Sequence, residues 1–538
     1  EIVYNRTPTK ERKLYIVMEI IDNTALKLTV PEHLVPHIKE NIDKFEVVKK
    51  NGALTEVLVY WGISEMIRLN QLISFNKSLP SPMLKDYKWP GVYKPFSHQK
   101  TTSEFLSINH RGFCFNEAGT GKTSSAIWAA DYLMLQGLVK RVLVICPLSI
   151  MYSAWQADIF NTTMHRTVGI AHGSADKRER IINEEYDFII INYDGVGIVR
   201  ETIAKNNFDL IIVDEANAYK SPSTARWKTL AKLLKPETKL WMMTGTPAAQ
   251  SPVDAFGLAK LVTPENVPKF SMAWRDKVMY QVTRFKWTPK KIAKDLVYKA
   301  LQPAIRFAKN DCLDLPEVMY QTREVPLTPQ VQKYYKSLKE QMLIKAAGET
   351  ISSVNAAAAL NKLLQISGGA VYTDTREVVE FDIRPRLSAL DEVLEETEQK
   401  VIIFVPFLHT IKVVAKHLIS KNISCEVING SVTATERARI INAFQTFDDP
   451  HVLVIQPQSA SHGVTLTAAN VVVFWSPVMS VETYLQCIAR IDRFGQKHKM
   501  TVVHLQGSEV ERKMYAMLQG KVDLHSKLVD LYNEEIGL

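Results

Sequence analysis

The sequence NEAGTGKT, at residues 116–123, decides the fold of this chain more than any other stretch. The short apolar run RGFCF (111–115) precedes it, and SSAIWAADYLML (124–135) follows it. An apolar run of this length is typical of a buried strand, and the later segment has the composition of a helix. We therefore predict a strand, a glycine loop and a helix in succession, as in α/β folds.

The glycine loop has the groups that bind phosphate. Gly119 and Gly121 let backbone N–H groups approach phosphate oxygens, while Lys122 supplies charge and Thr123 a hydroxyl for magnesium. The N-terminus of the following helix adds positive potential. Asn116 stands where the usual pattern has its first glycine. The alternative interpretation is a chance glycine turn before a helix.

Two series of short apolar runs alternate with helical patterns along the chain. They lie at 111–115, 141–147, 188–193, 208–215 and 240–247, and then at 400–407, 425–430, 451–457, 470–476 and 500–506. Such alternation predicts parallel sheets with crossover helices. The stretch between the two series, about 325–390, has a mostly helical pattern. We therefore expect two similar α/β halves joined by a helical connector.

The first 90 residues predict a small α+β domain. Strand patterns occur at LYIVMEI, ALKLTV and LTEVLVYW, and a helix pattern occurs at PEHLVPHIKENI. The proline-rich stretch 79–95 has the composition of a linker. We assign residues 1–90 to this domain and its linker, 91–325 to lobe one, 326–385 to the connector and 386–538 to lobe two.

Composition excludes several classes of protein. Hydrophobic residues make up 46% and charged residues 23% of the 538, which excludes a disordered chain, a collagen-like repeat and a small disulfide scaffold. No apolar run approaches the ~20 residues that span a bilayer. The N-terminus lacks the apolar core of a secretory signal, and the five cysteines form no CxxC pair. We expect a cytoplasmic protein, or a nuclear one in a eukaryote.

Positive charge is concentrated between residues 271 and 310. This stretch holds ten Lys or Arg against two Asp, within a chain whose net charge is +9. Phe285 and Trp287 lie among them, a combination that suits a nucleic-acid backbone. Lys290, Lys291 and Lys294 are the candidate contacts. The alternative is a solvated helix face.

Three further motifs fit nucleotide hydrolysis. IIVDEANAYK (211–220) ends a strand with Asp214, a candidate Mg²⁺ ligand, and Glu215, a candidate to orient or deprotonate water. TGTP (244–247) also follows a strand, and a tight turn is its alternative interpretation.

QCIARIDRFGQ (486–496) is the last of these motifs. It places Arg490 and Arg493 three residues apart, on one face of a predicted helix. Two such arginines could act on a γ-phosphate from a second domain, and hydrolysis would then require the two halves to close. The alternative is surface salt bridging.

Together these motifs resemble the superfamily two helicase-like ATPases, and in particular their Swi/Snf branch. Further blocks of the branch are similar to FSHQKTTSEFL (96–106), CPLSIMYSAWQADI (146–159), LQPAIRFAKNDCLDLP (301–316), VPLTPQVQKYYKSL (325–338), LNKLLQISGG (360–369), INGSVTATERARIINAFQ (428–445), SASHGVTLTAANVVVFWSP (459–477) and DRFGQKHKMTVVHL (492–505). The resemblance covers about 91–520 and implies two RecA-like lobes.

The resemblance implies a role for each motif residue. ATP binding falls to Gln99, Ala118, Gly119, Thr120, Gly121, Lys122, Thr123, Arg490 and Arg493, with Mg²⁺ at Thr123 and Asp214. The expected catalytic residues are Lys122, Glu215, Arg490 and Arg493, and the expected coupling residues are Asn217, Thr244, Thr246 and Gln486. Implied DNA contacts are Ser149, Trp155, Asn192, Tyr193, Lys220, Ser431, Thr433, Arg437 and Ser459, where Trp155 and Tyr193 could equally be core residues.

Some positions depart from the branch. Asn217 replaces a usual His, Gln250 and Thr465 each replace a usual Asn, and Ser461 and His462 replace a glycine pair. None removes Lys122, Asp214, Glu215, Arg490 or Arg493, so we expect an active ATPase.

Members of the branch track along duplex DNA, so the resemblance implies a sequence-independent translocase of duplex DNA. An N-terminal unit directly before the core is similar to the layout of annealing helicases that act at DNA forks, so forked DNA is a further expected substrate. We expect a monomer, and the short chain suits a bacterial or phage origin. A restriction motor subunit and a DNA-binding ATPase switch without movement remain open.

Overall fold

We describe the protein from a computed structural model. It describes residues 17–520 apart from 74, 76–77, 246, 249–250, 283–286, 309–311, 313–317, 347–352, 373–376, 461–463 and 494, together with Leu531 and Glu535. Among these residues, no helix has both the length and the apolar character to cross a membrane.

The N-terminal unit is an antiparallel sheet covered by helices. Its strands are β1 (Met18–Ile21), β2 (Ala25–Pro31), β3 (Phe45–Asn51) and β4 (Leu54–Tyr60), in the order β1-β2-β4-β3, and its helices are α1 (Val35–Asn41), α2 (Ile63–Leu72) and α3 (Met83–Asp86). Leu26, Leu28 and Val30 alternate on the buried face of β2. This period of two is what makes the stretch a half-buried strand. Edge strand β3 has almost no buried side chain, so its sequence carries no such pattern.

The segment predicted as a linker is packed against lobe one. Trp61 donates its indole N–H to the carbonyl of Pro80 at 2.9 Å, and Tyr87 donates to the buried carboxylate of Asp131 at 2.6 Å. Leu79 and Met83 are also buried, and one hydrophobic cluster runs from the N-terminal sheet into lobe one. The prediction of a linker was therefore wrong, because these buried apolar side chains fix the N-terminal unit to lobe one.

Lobe one is a seven-stranded parallel sheet. Its strands are β5 (Arg111–Cys114), β6 (Val142–Cys146), β7 (Val168–Ala171), β8 (Phe188–Asn192), β9 (Leu210–Asp214), β10 (Lys239–Met243) and β13 (Ala304–Ile305), in the order β13-β5-β10-β9-β6-β8-β7. The five predicted strands are confirmed. Edge strands β7 and β13 escaped prediction because β7 is only half-buried and β13 has only two residues, so neither forms a continuous buried apolar run.

Helices and one hairpin complete this lobe. The helices are α4 (Ser97–Ile108), α5 (Lys122–Leu135), α6 (Ala157–Thr162), α7 (Ala175–Asn183), α8 (Tyr193–Ile198), α9 (Arg200–Lys205), α10 (Ala225–Leu233), α11 (Ala255–Val262), α12 (Ser271–Val278) and α13 (Ala293–Ala300). A π-helical turn at Met151–Gln156 precedes α6, and a hairpin of β11 (Met279–Gln281) and β12 (Trp287–Pro289) lies within the basic stretch.

Lobe two is a second parallel sheet, of six strands. Its strands are β14 (Val318–Glu324), β17 (Lys400–Phe404), β18 (Cys425–Ile428), β19 (Val452–Ile455), β20 (Ala469–Phe474) and β21 (Met500–Gln506), in the order β14-β21-β20-β17-β19-β18, and a separate hairpin pairs β15 (Ala370–Tyr372) with β16 (Val378–Glu380). The five strands predicted here are confirmed. The boundary at residue 325 put β14 in lobe one, but β14 pairs with β21 of lobe two.

The predicted connector packs onto lobe two. The connector has two helices, α14 (Pro329–Ala346) and α15 (Ser353–Gly368). The later helices are α16 (Arg384–Glu395), α17 (Leu408–Ser420), α18 (Ala434–Thr446), α19 (Pro457–Ala460), α20 (Val481–Ile488) and α21 (Glu509–Gln519). Leu360 and Leu364 share a hydrophobic cluster with Phe404 and Phe474 of the sheet. The chain therefore has two RecA-like α/β lobes in tandem, as predicted.

Candidate nucleotide site between the lobes

The glycine loop joins β5 to α5 at the carboxyl edge of the lobe-one sheet. Gly119 and Gly121 have φ values of +86° and +77°, which residues with a side chain rarely adopt. A Cβ on Gly121 would also lie 2.0 Å from Nε2 of Gln99. The Lys122 ammonium donates to the Glu117 carbonyl at 3.3 Å, and the Thr120 hydroxyl donates to the same oxygen at 2.8 Å. The loop is thus folded for phosphate binding, with Thr123 in the first turn of α5.

The first turn of α4 lies against this loop. Gln99 is almost fully buried and accepts a hydrogen bond from the Phe96 N–H at 2.9 Å. The neighbouring His98 ring is 2.9 Å from the Thr120 carbonyl. The structure therefore places Gln99 against the glycine loop, and its role in ATP binding stays a prediction.

The contacts of the Asn116 side chain explain why this position of the loop is not glycine. Its buried amide donates to the Thr102 hydroxyl at 2.8 Å, and its Oδ1 accepts from the Phe307 N–H at 3.0 Å. The side chain therefore joins α4 to the chain that follows β13. Glycine at this position would lose both bonds.

The acidic pair lies at the end of β9, at the same edge of the sheet, where Asp214 is the last strand residue and Glu215 follows it. Asp214 accepts from the Glu215 N–H and from the Trp155 indole N–H, each at 2.9 Å. Burial raises the pKa of Asp214, and the Lys122 ammonium opposes that rise. Burial, and then the Asp214 charge, raise the pKa of Glu215 to about 7, while Lys122 and Arg490 lower it. A carboxylate whose pKa lies near neutrality is suited to accept a proton from water.

Both motif arginines reach this site from lobe two. A Cβ on Gly119 would lie 3.2 Å from Cγ of Arg493, so the two lobes touch at the glycine loop. Burial lowers the pKa of Arg493, and the Asp158 and Asp214 carboxylates raise it. Arg490 is buried, donating to the Gln486 carbonyl at 2.7 Å and to the Val464 carbonyl at 3.1 Å.

The prediction that one helix carries both arginines was wrong. Helix α20 ends at Ile488, and Arg490 and Arg493 lie in the turns that follow. They converge on lobe one because successive backbone bonds, such as Arg493 N–H to the Ile491 carbonyl, wind the chain there. A three-residue spacing alone could not distinguish such turns from a helix.

The residues predicted to couple hydrolysis to DNA lie between these groups. The buried Thr244 N–H donates to the Cys114 carbonyl at 3.0 Å, and Gly245 packs against the backbone of Ala118. Asn217 Nδ2 donates across the lobes to Glu482 Oε1 at 3.2 Å. Gln486 Nε2 donates to the same oxygen at 3.3 Å. Thr246, with Gln250, Ser461 and His462, lies outside the described residues.

Two residues of this site escaped the sequence analysis. They are Glu482, in the first turn of α20, and Asp158, which accepts from the Ser124 hydroxyl at 3.4 Å. Burial raises the pKa of Asp158 to about 6, while the Arg493 charge lowers it. An acidic residue early in a helix is common, so neither gave a distinctive signal.

Most predicted DNA contacts follow strands of the two sheets. Ser149 follows β6, Asn192 ends β8 and Lys220 lies shortly after β9, while Ser431 follows β18 and Ser459 lies shortly after β19. The carboxyl ends of parallel strands share one edge, so each lobe gathers its polar side chains there. Contacts of these residues include Asn192 with Arg178, Lys220 with Asp254 and Ser431 with Asn429, and the Thr433 hydroxyl caps α18.

Two aromatic predictions need correction. Trp155 is fully buried and its indole N–H is held by Asp214, so it lies in the core of the site. The Tyr193 hydroxyl donates to the Asp214 carbonyl at 2.6 Å. Both side chains support the acidic motif, and neither presents its polar atom to a DNA backbone.

Charges of the basic stretch lie around the β11–β12 hairpin. Lys291 and Lys294 are exposed, and the Lys290 ammonium donates to the Asp276 carbonyl. The Arg275 guanidinium lies 4.4 Å from the centre of the Trp287 ring. Arg437 in lobe two is partly buried, and burial lowers its pKa. Arg284, Phe285, Lys286 and Lys309 lie outside the described residues.

Comparison with known proteins agrees with this geometry. The family described as the SNF2-related domain matches residues 62–368, and the helicase conserved C-terminal domain matches residues 385–495. A protein designated p41, from Acyrthosiphon pisum secondary endosymbiont phage 1, is 24% identical over 74% of this chain and 88% of its own length.

Longer relatives are matched over part of their length. The ISWI chromatin-remodeling complex ATPase ISW1 of Saccharomyces cerevisiae is 24% identical over 78% of this chain and 38% of its own. A SWI/SNF-related regulator of chromatin, subfamily A-like protein 1, from Xenopus laevis is 23% identical over 81% of this chain and 44% of its own.

The solved SWI2/SNF2 ATPase core of Sulfolobus solfataricus with double-stranded DNA is 22% identical, covering 84% of this chain and 95% of that one with a TM-score of 0.41.

The SNF2-related match spans more than half of the residues, followed by the helicase C-terminal match, and the chain therefore belongs to the SNF2-related family of helicase-like ATPases.

Proposed function

We propose that this chain uses ATP hydrolysis to move along double-stranded DNA without reading its sequence. The observation that carries the proposal is the meeting of the two lobes at one site. There Arg493 of lobe two lies against Gly119 of the glycine loop, and the charges of Arg493 and Arg490 act on the acidic pair of lobe one. A motor requires such an interface, because a bound ligand drives a movement only when it favours one arrangement of the parts.

In the proposed reaction, lobe one binds ATP and lobe two completes the site. The backbone at Gly119 and Gly121 and the Lys122 ammonium hold the phosphates. Glu215 orients the attacking water and accepts its proton, and Arg490 and Arg493 stabilise the charge that develops on the transferred phosphoryl group. Hydrolysis removes the group that joins the lobes, so lobe two relaxes.

Mg²⁺ fits the donors of this site. Asp214 and Thr123 offer carboxylate and hydroxyl oxygens, the ligands that Mg²⁺ prefers, and they would hold the ion together with the nucleotide phosphates. The ion supplies positive charge at the phosphate oxygens when bound. The described residues contain no cluster of three or more His, Cys, Asp or Glu side chains able to hold a metal by themselves. Such a cluster is not needed where phosphates supply the remaining ligands.

DNA binding is proposed along the carboxyl edges of both sheets. Hydroxyl, amide and ammonium groups at Ser149, Asn192, Lys220, Ser431 and Ser459 suit phosphate oxygens, which carry no sequence information. Lobe closure changes the spacing between the two groups of contacts. If the lobes hold the backbone alternately, each hydrolysis moves the chain along the duplex. We also propose that the monomer is the active unit, that forked DNA is a substrate and that the protein acts in the cytoplasm.

The first test is steady-state ATPase activity with different nucleic acids. We expect strong stimulation by plain duplex DNA and less by single strands or duplex RNA. Glu215→Gln should keep ATP and DNA binding but lose turnover by ~10²-fold, because it cannot accept the proton. Activity that no nucleic acid changes would refute DNA coupling. Normal turnover of the variant would remove Glu215 from its role.

A further inference from the structure

One polar contact joins the acidic motif of lobe one directly to lobe two. Asn217 lies two residues after Glu215, and its Nδ2 donates to Glu482 Oε1 at 3.2 Å. The two residues are separated by 265 positions in the sequence, so the bond forms only when the lobes are together. It is part-buried, where a hydrogen bond to a carboxylate is stronger than in water.

Glu482 is held in place by its own helix. Gln486, one turn later in α20, donates its Nε2 to Oε1 of Glu482 at 3.3 Å. The hydroxyl of Ser480 caps the same helix by accepting from the Thr483 N–H at 3.3 Å. Glu482 therefore projects from a fixed helical turn, and the chain continues from α20 to Arg490 within a few residues.

The contact lies at the reacting end of the site. Glu482 is close enough to Glu215 for its charge to raise the pKa of that carboxylate. The Glu215 backbone has a φ of +49°, a strained conformation for a residue with a side chain. A strained turn persists only where its neighbours hold it, and here one of those neighbours belongs to the other lobe.

From this arrangement we propose that Glu482 is a positioning residue. It binds Asn217 when the lobes close and thereby holds Glu215 in its catalytic position. The inference rests on the proposed ATPase cycle, and it extends that cycle by naming a residue through which closure controls the water-activating group. The proposal also assigns a function to Asn217, which stands where the family usually has His. The amide of Asn217 does not titrate, so its ability to donate to the Glu482 carboxylate does not depend on its own protonation.

Substitutions can separate this role from a structural one. Glu482→Ala and Asn217→Ala should each lower kcat about tenfold, the scale of one hydrogen bond to a charged group, with KM for ATP changed less than about twofold. The double variant should be no worse than either single variant, because both remove the same contact. Glu482→Gln keeps an acceptor oxygen and should retain most of the activity.

The matched control is Glu509→Ala. Glu509 is also a first-turn glutamate of a lobe-two helix, and it pairs with Lys513 on the surface. It should change kcat by less than about twofold. Additive losses in the double variant, or an equal loss in the control, would overturn the proposal.

A second measurement does not depend on activity. Dyes attached through unnatural amino acids at exposed positions 179 and 416, one in each lobe, report lobe separation by energy transfer. With a non-hydrolysable ATP analogue bound, which favours closed lobes in the proposed cycle, Glu482→Ala should shift the population toward larger separations, and Glu509→Ala should not. An unchanged distribution would overturn the proposed role of the Glu482–Asn217 contact, whatever the ATPase result. Absence of ATPase activity from the wild-type chain would instead refute the proposed function.

Discussion

Single side chains determine how the acidic motif is held. The buried indole of Trp155 donates to Asp214, and the hydroxyl of Tyr193 donates to the backbone at the same residue. A carboxylate expected to hold a metal is thus oriented by an aromatic donor behind it. The family resemblance implied DNA contact for both residues and left a core position as the alternative, because sequence does not show which way a side chain points.

Trp155→Phe tests this assignment. The variant keeps most of the apolar volume but loses the N–H donor, so the Asp214 carboxylate is less firmly oriented. We expect ATPase turnover to fall by about fivefold to tenfold, the scale of one hydrogen bond to a charged group. Duplex DNA affinity, measured by fluorescence anisotropy, should stay within twofold. Weakened DNA binding with normal turnover would restore the DNA-contact assignment.

At the scale of elements, strand β21 contains a buried histidine. His504 stacks on Tyr515 with ring centres 4.2 Å apart, and its Nε2 is 2.9 Å from the Tyr484 hydroxyl. Burial lowers the pKa of His504 to about 4. The unfolded chain therefore binds this proton at higher pH than the folded chain does. Stability from this residue is complete above an unfolded pKa of about 6.5 and is lost as pH falls toward 4.

The pH dependence of lobe two follows from that shift. Between pH 7.5 and 5.5, wild type should lose about 1 kcal/mol more stability than His504→Gln. Hydrogen exchange of the β21 amides, corrected for the intrinsic effect of pH, measures this difference. Equal losses in the two proteins would mean that His504 is not buried in its neutral form.

Basic residues near the β11–β12 hairpin form a second testable element. If Lys290, Lys291 and Lys294 contact phosphates, their replacement by glutamine should weaken duplex binding and reduce the slope of log K against log salt by up to about 3. The control replaces Lys412, Lys416 and Lys421, which lie on or next to α17. An unchanged slope in the first variant would favour a solvated helix face.

Elements differ in how far sequence could predict them. Fully buried central strands such as β9 and β19 appear as continuous apolar runs, and the glycine loop has few alternatives. Exposed β3 and two-residue β13 lack that pattern. The turn that carries Arg490 depends on contacts with Val464 and Gln486, of which Val464 lies 26 residues away. The role of Glu482 could not be predicted, because it depends on a contact with Asn217 in the other lobe.

At the scale of the whole molecule, the two lobes meet at one candidate nucleotide site. Lobe one supplies the glycine loop and acidic pair, and lobe two supplies the arginines and Glu482. The N-terminal unit shares a hydrophobic cluster with lobe one, so we expect it to move with that lobe during closure. In the proposed cycle, the same contacts link hydrolysis to relative movement of the lobes.

Displacement of a third strand from a DNA triplex tests movement most directly. A protein that tracks along the duplex removes the third strand when it reaches it, whereas a stationary ATPase does not. We predict displacement that requires ATP, fails with a non-hydrolysable analogue and fails with Glu215→Gln. Strong duplex-stimulated ATPase activity without any displacement would contradict translocation and identify a DNA-dependent switch.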